Sequence, residues 1–129
     1  MPELYINDLL GVRFTSHGRS VQDGFDCYGL AIEVSKRLGH ELKDLWYEKS
    51  EDRVFTENAE SMIAANGIIE TDNRELGNLI VFSDEKGNMV HIGVLLDEEC
   101  FIHAELGGVR ITRLENYYRK QWKVYTWQQ

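Results

Sequence analysis

Apolar residues change their spacing once along this chain. Between Cys27 and Leu38 they recur at helical intervals, at Cys27, Leu30, Ala31, Val34 and Leu38, which gives one helix with a single apolar face. Asp26 is placed to cap its start and Gly39 to end it. A second helix is predicted from Thr56, as N-cap, to Asn66, with Gly67 as the left-handed stop, and a short one over Leu4, Leu9 and Leu10 before Gly11. Glu41 to Asp52 has no clear period, and Trp46 and Tyr47 there are expected to cap the core. From Leu79 onward the pattern becomes short β-rich runs between turn residues: Leu79 to Phe82, Met89 to Leu96, Cys100 to Ala104, Val109 to Thr112 and Lys123 to Trp127. Helices first and strands after predict an α+β domain, N-terminal helices packed on a C-terminal antiparallel β-sheet meander.

Alternation along the strands fixes which side chains can meet. In the run Met89 to Leu96, His91 shares a face with Gly93 and Leu95, while Val90, Ile92 and Val94 point the other way. In the next run His103 shares a face with Phe101. A three-residue connection through Asp97, Glu98 and Glu99 sets position 96 against 100, so that 103 opposes 93 and 91 opposes 105. The two histidines then become diagonal neighbours on one face, whereas a two-residue turn would separate them. Such loops usually want a left-handed residue, and none of the three is Gly.

That geometry changes the meaning of Cys27. A thiol at a helix start meets unpaired N–H groups and the positive end of the helix dipole, both of which favour the reactive thiolate. With His91 as general base and His103 orienting its ring, the three form a candidate nucleophilic site, in which Glu105 competes for the orienting role. The same Cys27, His91 and His103 could instead furnish three zinc ligands, but no C-x-x-C or H-E-x-x-H pairing accompanies them, so neither a metal nor a cofactor is expected. Cys100, between apolar neighbours, reads as a small buried hydrophobe, and both cysteines as free thiols. His17 and His40 read as surface residues, and Tyr117, Tyr118, Trp122, Tyr125 and Trp127 as aromatics closing the core.

Composition narrows the partners. A chain of 129 residues with 43% hydrophobic content and 1 proline is one domain, spanning 1–129. Its net charge of −8, without any Lys/Arg cluster, disfavours a nucleic-acid partner. No apolar run approaches the roughly 20 residues of a spanning helix, so no membrane partner is expected. The N-terminus lacks the basic and apolar regions of a signal peptide. A product made in the cytoplasm with a target outside the cell would then have to travel in a virion or other particle, through a secretion machine, or after lysis.

Three blocks in order carry a resemblance: Asp26-Cys27-Tyr28-Gly29-Leu30, Val90-His91-Ile92-Gly93-Val94, and Phe101-Ile102-His103-Ala104 followed by Gly108-Val109. With Gly77-Asn78-Leu79-Ile80, they resemble the NlpC/P60 family of papain-like cysteine peptidases from about Leu9 to Trp122. The opening Gly11-Val12-Arg13-Phe14, the Gly18-Arg19-Ser20 block and the aromatic after the cysteine look closest to its phage and prophage tail branch. The resemblance implies an endopeptidase acting on bacterial cell-wall stem peptides next to γ-linked D-glutamate, with phage tail proteins as further partners. It implies Cys27, His91 and His103 as catalytic residues. It also implies Asp26, the residue after the cysteine and an upstream aromatic, here Tyr28 and Phe14, as holders of the stem peptide's free amine. Tyr28 stands where Ser is usual and Phe14 where a Tyr is frequent. A catalytically weak structural tail domain and a papain-like acyltransferase or thioesterase are the competing readings.

Overall fold

The computed structural model describes residues 4–45 and 60–128. A two-stranded hairpin, β1 (Arg19–Ser20) and β2 (Gly24–Phe25), leads into the helix α1 (Cys27–Arg37). After α2 (residues 60–66), the chain forms β3 (Ile69–Thr71), β4 (Leu79–Ser83), β5 (Met89–Leu95), β6 (Cys100–Glu105) and β7 (Gly108–Arg113). A short 3-10 turn, Leu114–Asn116, precedes the last strand, β8 (Gln121–Thr126).

The α1 boundaries follow from its caps. Asp26 accepts from Gly29 N at 2.6 Å, as an N-cap carboxylate should, and Gly39 at φ +88 lets Gly39 and His40 close back on Lys36 O and Ser35 O. Residues 7–11 form a turn, not the predicted helix over Leu4, Leu9 and Leu10, with Leu9 fully buried. Leu9 N donates to Ile6 O and Val12 N to Leu9 O, which are successive turns rather than a helical ladder. α2 ends at Gly67, φ +63. Its predicted cap Thr56, with Trp46 and Tyr47, lies outside the described residues.

The sheet order is β3-β8-β4-β5-β6-β7, and every neighbouring pair is antiparallel. The predicted meander holds for β4 to β7. The last strand departs from it: β8 crosses back to pair with β4 on the far side and takes β3, a strand the sequence pattern had missed, as its outer partner. β3 was hidden because Ile69-Glu70-Thr71 is short and mostly exposed.

One face of the sheet packs Leu79, Val81, Ile92, Val94 and Ile102 under the apolar stripe of α1, Leu30, Ala31 and Val34. The other face packs Ile80, Phe82, Leu95 and Phe101 with Leu114 and Tyr117. Of the late aromatics, Tyr117 and Tyr125 are buried as expected, while Tyr118 is 68% exposed, because the turn after Leu114–Asn116 carries it outward. Within the described residues, no helix is long and apolar enough to cross a membrane.

Candidate active site

The hairpin between β5 and β6 adopts the register that three connecting residues impose. Leu95 pairs with Phe101 and Leu96 N donates to Cys100 O at 2.9 Å. No left-handed residue makes the turn; instead the Asp97 carboxylate accepts from Glu99 N at 2.7 Å and Cys100 N at 2.8 Å. His91 and His103 are consequently on one face, with His91 Nε2 and His103 Nδ1 2.8 Å apart. Gly93, opposite His103, permits this approach: a Cβ there would sit 2.8 Å from the Phe101 ring.

The chain of contacts continues past the pair. His103 Nε2 lies 2.9 Å from Thr112 Oγ1 on β7. The sequence reading overlooked Thr112, although the short turn at Leu106 and Gly107 sets Phe101 against Thr112 and so fixes its face. If His103 donates through Nε2 to Thr112, its Nδ1 accepts from His91 Nε2–H, and His91 Nδ1 keeps a lone pair. That is the tautomer a general base needs. Glu105 takes no direct part: its Oε1 is 3.8 Å from His103 Nδ1, and its Oε2 accepts from the Tyr117 hydroxyl at 2.7 Å. His103, not Glu105, is therefore the neighbour of His91.

Both imidazoles are held neutral. Burial, reinforced by His103 and Arg119, keeps His91 well below its ordinary pKa. Burial, with a smaller contribution from Arg110, lowers His103 to about 3. Tyr117 packs edge-on against His103 at 5.1 Å, and Phe82 lies 5.9 Å from His91. Together they keep water from the pair.

A direct approach of Cys27 to His91 would be simplest with the helix packed against the histidine face. The structure puts the body of α1 on the other face, because its stripe covers Ile92, Val94 and Ile102, which alternate with the histidines. Thiol and imidazole come to the same end of the sheet instead. Leu38, at the far end of α1, borders Gly77, whose N–H donates to Leu95 O at the far end of β5. At the other end of α1, Phe25 N donates to Arg13 O and Val109 N to Val12 O, and Val109 pairs with Ala104 at the end of β6 that lies beside His91, so helix and strand run in the same direction and the start of α1 lies toward the His91 end of the sheet. There the β4–β5 register shifts: Phe82 pairs with His91 and Ser83 with Met89, leaving Val90 as a bulge. Bulges of this kind re-aim side chains at strand ends.

Cys27 is partly buried, is the first residue of α1 and, like Cys100, is not in a disulfide. Cys100 is also only partly buried, since the solvated turn at Asp97 exposes one side of it. Among the described residues the donor set compact enough for a metal ion is His91, His103 and Glu105, and Cys27 is not part of it.

The remaining predicted residues form the frame of the helix start. Asp26 is 0% exposed and accepts from Gly29 N, from His17 N at 3.0 Å and from Arg19 Nη1 at 2.9 Å. Tyr28 is buried and its hydroxyl donates to Lys43 O, so burial pushes its pKa up. Phe14 is half-buried, bridges Phe25 in the backbone and packs on the helix-side core. His17 and His40 are half-buried, the latter stacked on Trp127 at 4.7 Å.

A family model described as "NlpC/P60 family" matches residues 11–128. A crystal structure of an NlpC/P60 family protein from Bacillus cereus ATCC 10987 superposes with a TM-score of 0.61 at 22% identity over 91% of this chain. The chain spans 35% of that protein's length, so the likeness is one of fold. No curated protein matches the sequence.

Proposed function

Because the chain belongs to the NlpC/P60 family, a family of cell-wall peptidases, we propose that it is a cysteine endopeptidase of bacterial stem peptides with Cys27 as nucleophile. Its bond is the one between γ-linked D-glutamate and the following diamino acid. The observation that carries the reading is the hydrogen-bonded chain His91–His103–Thr112, in which both imidazoles are buried and held neutral.

In the proposed cycle His91 Nδ1 takes the thiol proton as Sγ attacks the scissile carbonyl carbon. The negative oxygen that forms is met by the backbone N–H of Cys27, first in its helix and aligned with the dipole. Collapse of the adduct breaks the C–N bond, and His91 hands its proton to the leaving amine. A water molecule, deprotonated by His91, then attacks the thioester; Sγ leaves and regains the proton. His103 keeps the His91 ring aligned and shares the positive charge. No acidic residue lies in the first turn of α1, and Arg19 pairs with Asp26, which favours a thiolate at the helix start.

Association with a phage or prophage tail is the finer part of this reading. It rests on the Gly18-Arg19-Ser20 block and on Tyr28 following the nucleophile. The deciding experiment is mass spectrometry of peptidoglycan digests. Purified protein releases shortened stem peptides, a chelator has no effect, and Cys27→Ala stops release while melting as the wild type does. An unchanged muropeptide pattern across several wall chemotypes would refute the peptidase.

A further inference from the structure

The histidine face carries one more polar group, which the proposed cycle leaves unused. His103 and Glu105 are two residues apart on β6 and so project to the same side of the sheet, where His91 joins them from β5. One donor atom from each of the three lies within 4.8 Å of the other two. His91 Nε2 and His103 Nδ1 are 2.8 Å apart, and Glu105 Oε1 is 3.8 Å from His103 Nδ1. Two imidazoles and a carboxylate are a donor set suited to zinc, whose bonds to N and O of about 2.0–2.2 Å place tetrahedral ligands roughly 3.3–3.5 Å apart. The two nitrogens would therefore separate by about half an ångström and the carboxylate would close in by a similar amount, which small side-chain rotations supply.

The outer contacts of these groups aim them at one point. His103 turns its other ring nitrogen to Thr112 Oγ1 at 2.9 Å, and Glu105 keeps Oε2 on the Tyr117 hydroxyl at 2.7 Å, which leaves Oε1 to bind. Partners of this kind fix the direction of imidazoles and carboxylates at metal centres. The cluster is open to solvent on the Glu105 side, whose side chain is 23% exposed against 0% for His103. Two cations work against it, Arg119 through its charge on His91 and Arg110 through its charge on His103, and the Glu105 carboxylate opposes them. With three ligands and those charges nearby, the site is expected to hold zinc less tightly than a four-ligand structural site does.

We propose that His91, His103 and Glu105 form an inhibitory zinc site, in which the metal takes the place of the hydrogen between the two rings. A neutral imidazole bound to zinc through Nε2 carries its hydrogen on Nδ1. In His91 that is the atom which has to accept the proton of Cys27, so the metal-bound base has no lone pair for the thiol. The hydrogen displaced from Nε2 reaches Nδ1 through solvent, and no net proton is released. This zinc is not a cofactor, and its site is not the Cys27, His91 and His103 set weighed from the sequence, because the thiol lies outside it. The site stands on geometry alone, whereas its inhibitory effect rests on the peptidase reading above.

The test has a binding arm and a kinetic arm, both on protein first stripped with a chelator. Calorimetric titration of Cys27→Ala with zinc chloride should show one site per chain. Adding Glu105→Gln should weaken it at least about tenfold, the lower end of what disturbing even an outer partner costs. Glutamine keeps an oxygen for Tyr117 and gives up the anionic ligand. In the wild type, zinc should stop release of stem peptides and the chelator should restore it, while magnesium, which prefers oxygen ligands, should have no effect. Glu105→Gln, referred to its own metal-free rate, should need at least about tenfold more zinc for half-inhibition. Zinc binding that vanishes in Cys27→Ala and is indifferent to Glu105→Gln would put the metal on the thiol and overturn the proposal, as would no binding at all. Zinc held by the three residues without loss of cleavage would overturn the inhibition. Binding that needs Glu105, in a protein that cleaves no stem peptide even when stripped, would uphold the metal site and overturn the peptidase reading instead.

Discussion

On the face of the sheet that α1 covers, β4, β5 and β6 contribute Leu79, Val81, Ile92, Val94, Ile102 and Ala104, all apolar. On the opposite face the same strands contribute Ile80, Phe82, Leu95 and Phe101, and also His91 and His103. Exposure is as low on one side as on the other: Ile92 and Ile102 are at 0%, as is His103, and His91 is at 5%. What differs is what burial accomplishes. The first face converts area removed from water into stability, at about 25 cal/mol per Å². The second spends part of its area on two imidazoles that must find partners in each other and in Thr112 or remain unsatisfied.

If the division is real, substitutions on the two faces should separate activity from stability. The largest effect expected is on His91→Gln, which removes the base: kcat falls by roughly 10²–10⁴ while the melting temperature changes little. Steady-state kinetics beside a calorimetric melt measures both. Near-wild-type turnover in this variant would mean that the histidine face is only packing. Leu79→Ala on the helix face should do the reverse. It removes a fully buried side chain and costs about 2–5 kcal/mol of stability, with the activity of the folded fraction retained. Denaturant unfolding gives the number.

Acid should distinguish the faces next. Both histidine pKa values lie below the unfolded value of about 6.5, so the unfolded chain binds more protons as pH drops beneath that value. The stability lost is about 1.4 kcal/mol per pH unit for each histidine, from near pH 6.5 down toward the folded pKa, which for His103 is about 3. Melts of Cys27→Ala between pH 7.5 and 4.5 should show this slope. The same melts on a His103→Asn background should show it reduced. An equal slope in both would place the proton uptake elsewhere.

The contrast also explains what could be read from the sequence. Cys27, Leu30, Ala31 and Val34 announce α1, and Asp26 and Gly39 bound it, because helix period and caps are local signals. The meeting of His91 with His103 was legible because three loop residues and a period of two determine register. The side of the sheet that α1 covers was not legible: alternation says that two sets of residues face opposite ways, and only packing assigns the helix to one. β8 crossing to β4 is likewise a long-range choice. Asp26 illustrates a further limit. Its place before the cysteine suggested a substrate contact, but the Arg19 that neutralises it comes from a hairpin of two-residue strands, too short for any pattern to reveal.

The smallest effect expected is at Thr112, and it bears most directly on how the histidine face works. Two proton arrangements satisfy the observed contacts. In one, Thr112 accepts from His103 Nε2–H, and His91 Nδ1 is a free base; in the other, Thr112 donates, the protons reverse along the chain, and His91 Nδ1 already carries a hydrogen and cannot serve. Thr112→Val keeps the shape and removes the acceptor, which leaves His103 Nε2–H buried without a partner and biases the pair toward the idle tautomer. A loss of one neutral hydrogen bond, about 1 kcal/mol, predicts a fall in kcat of roughly fivefold with KM unchanged. Thr112→Ser should restore the rate, and ¹⁵N shifts of the imidazoles should show protonated Nε2 in both rings of the wild type and a mixture in the valine variant. Unchanged shifts and rate in Thr112→Val would mean that the histidines hold their protons without help from β7, and that the polar chain on this face ends at His103.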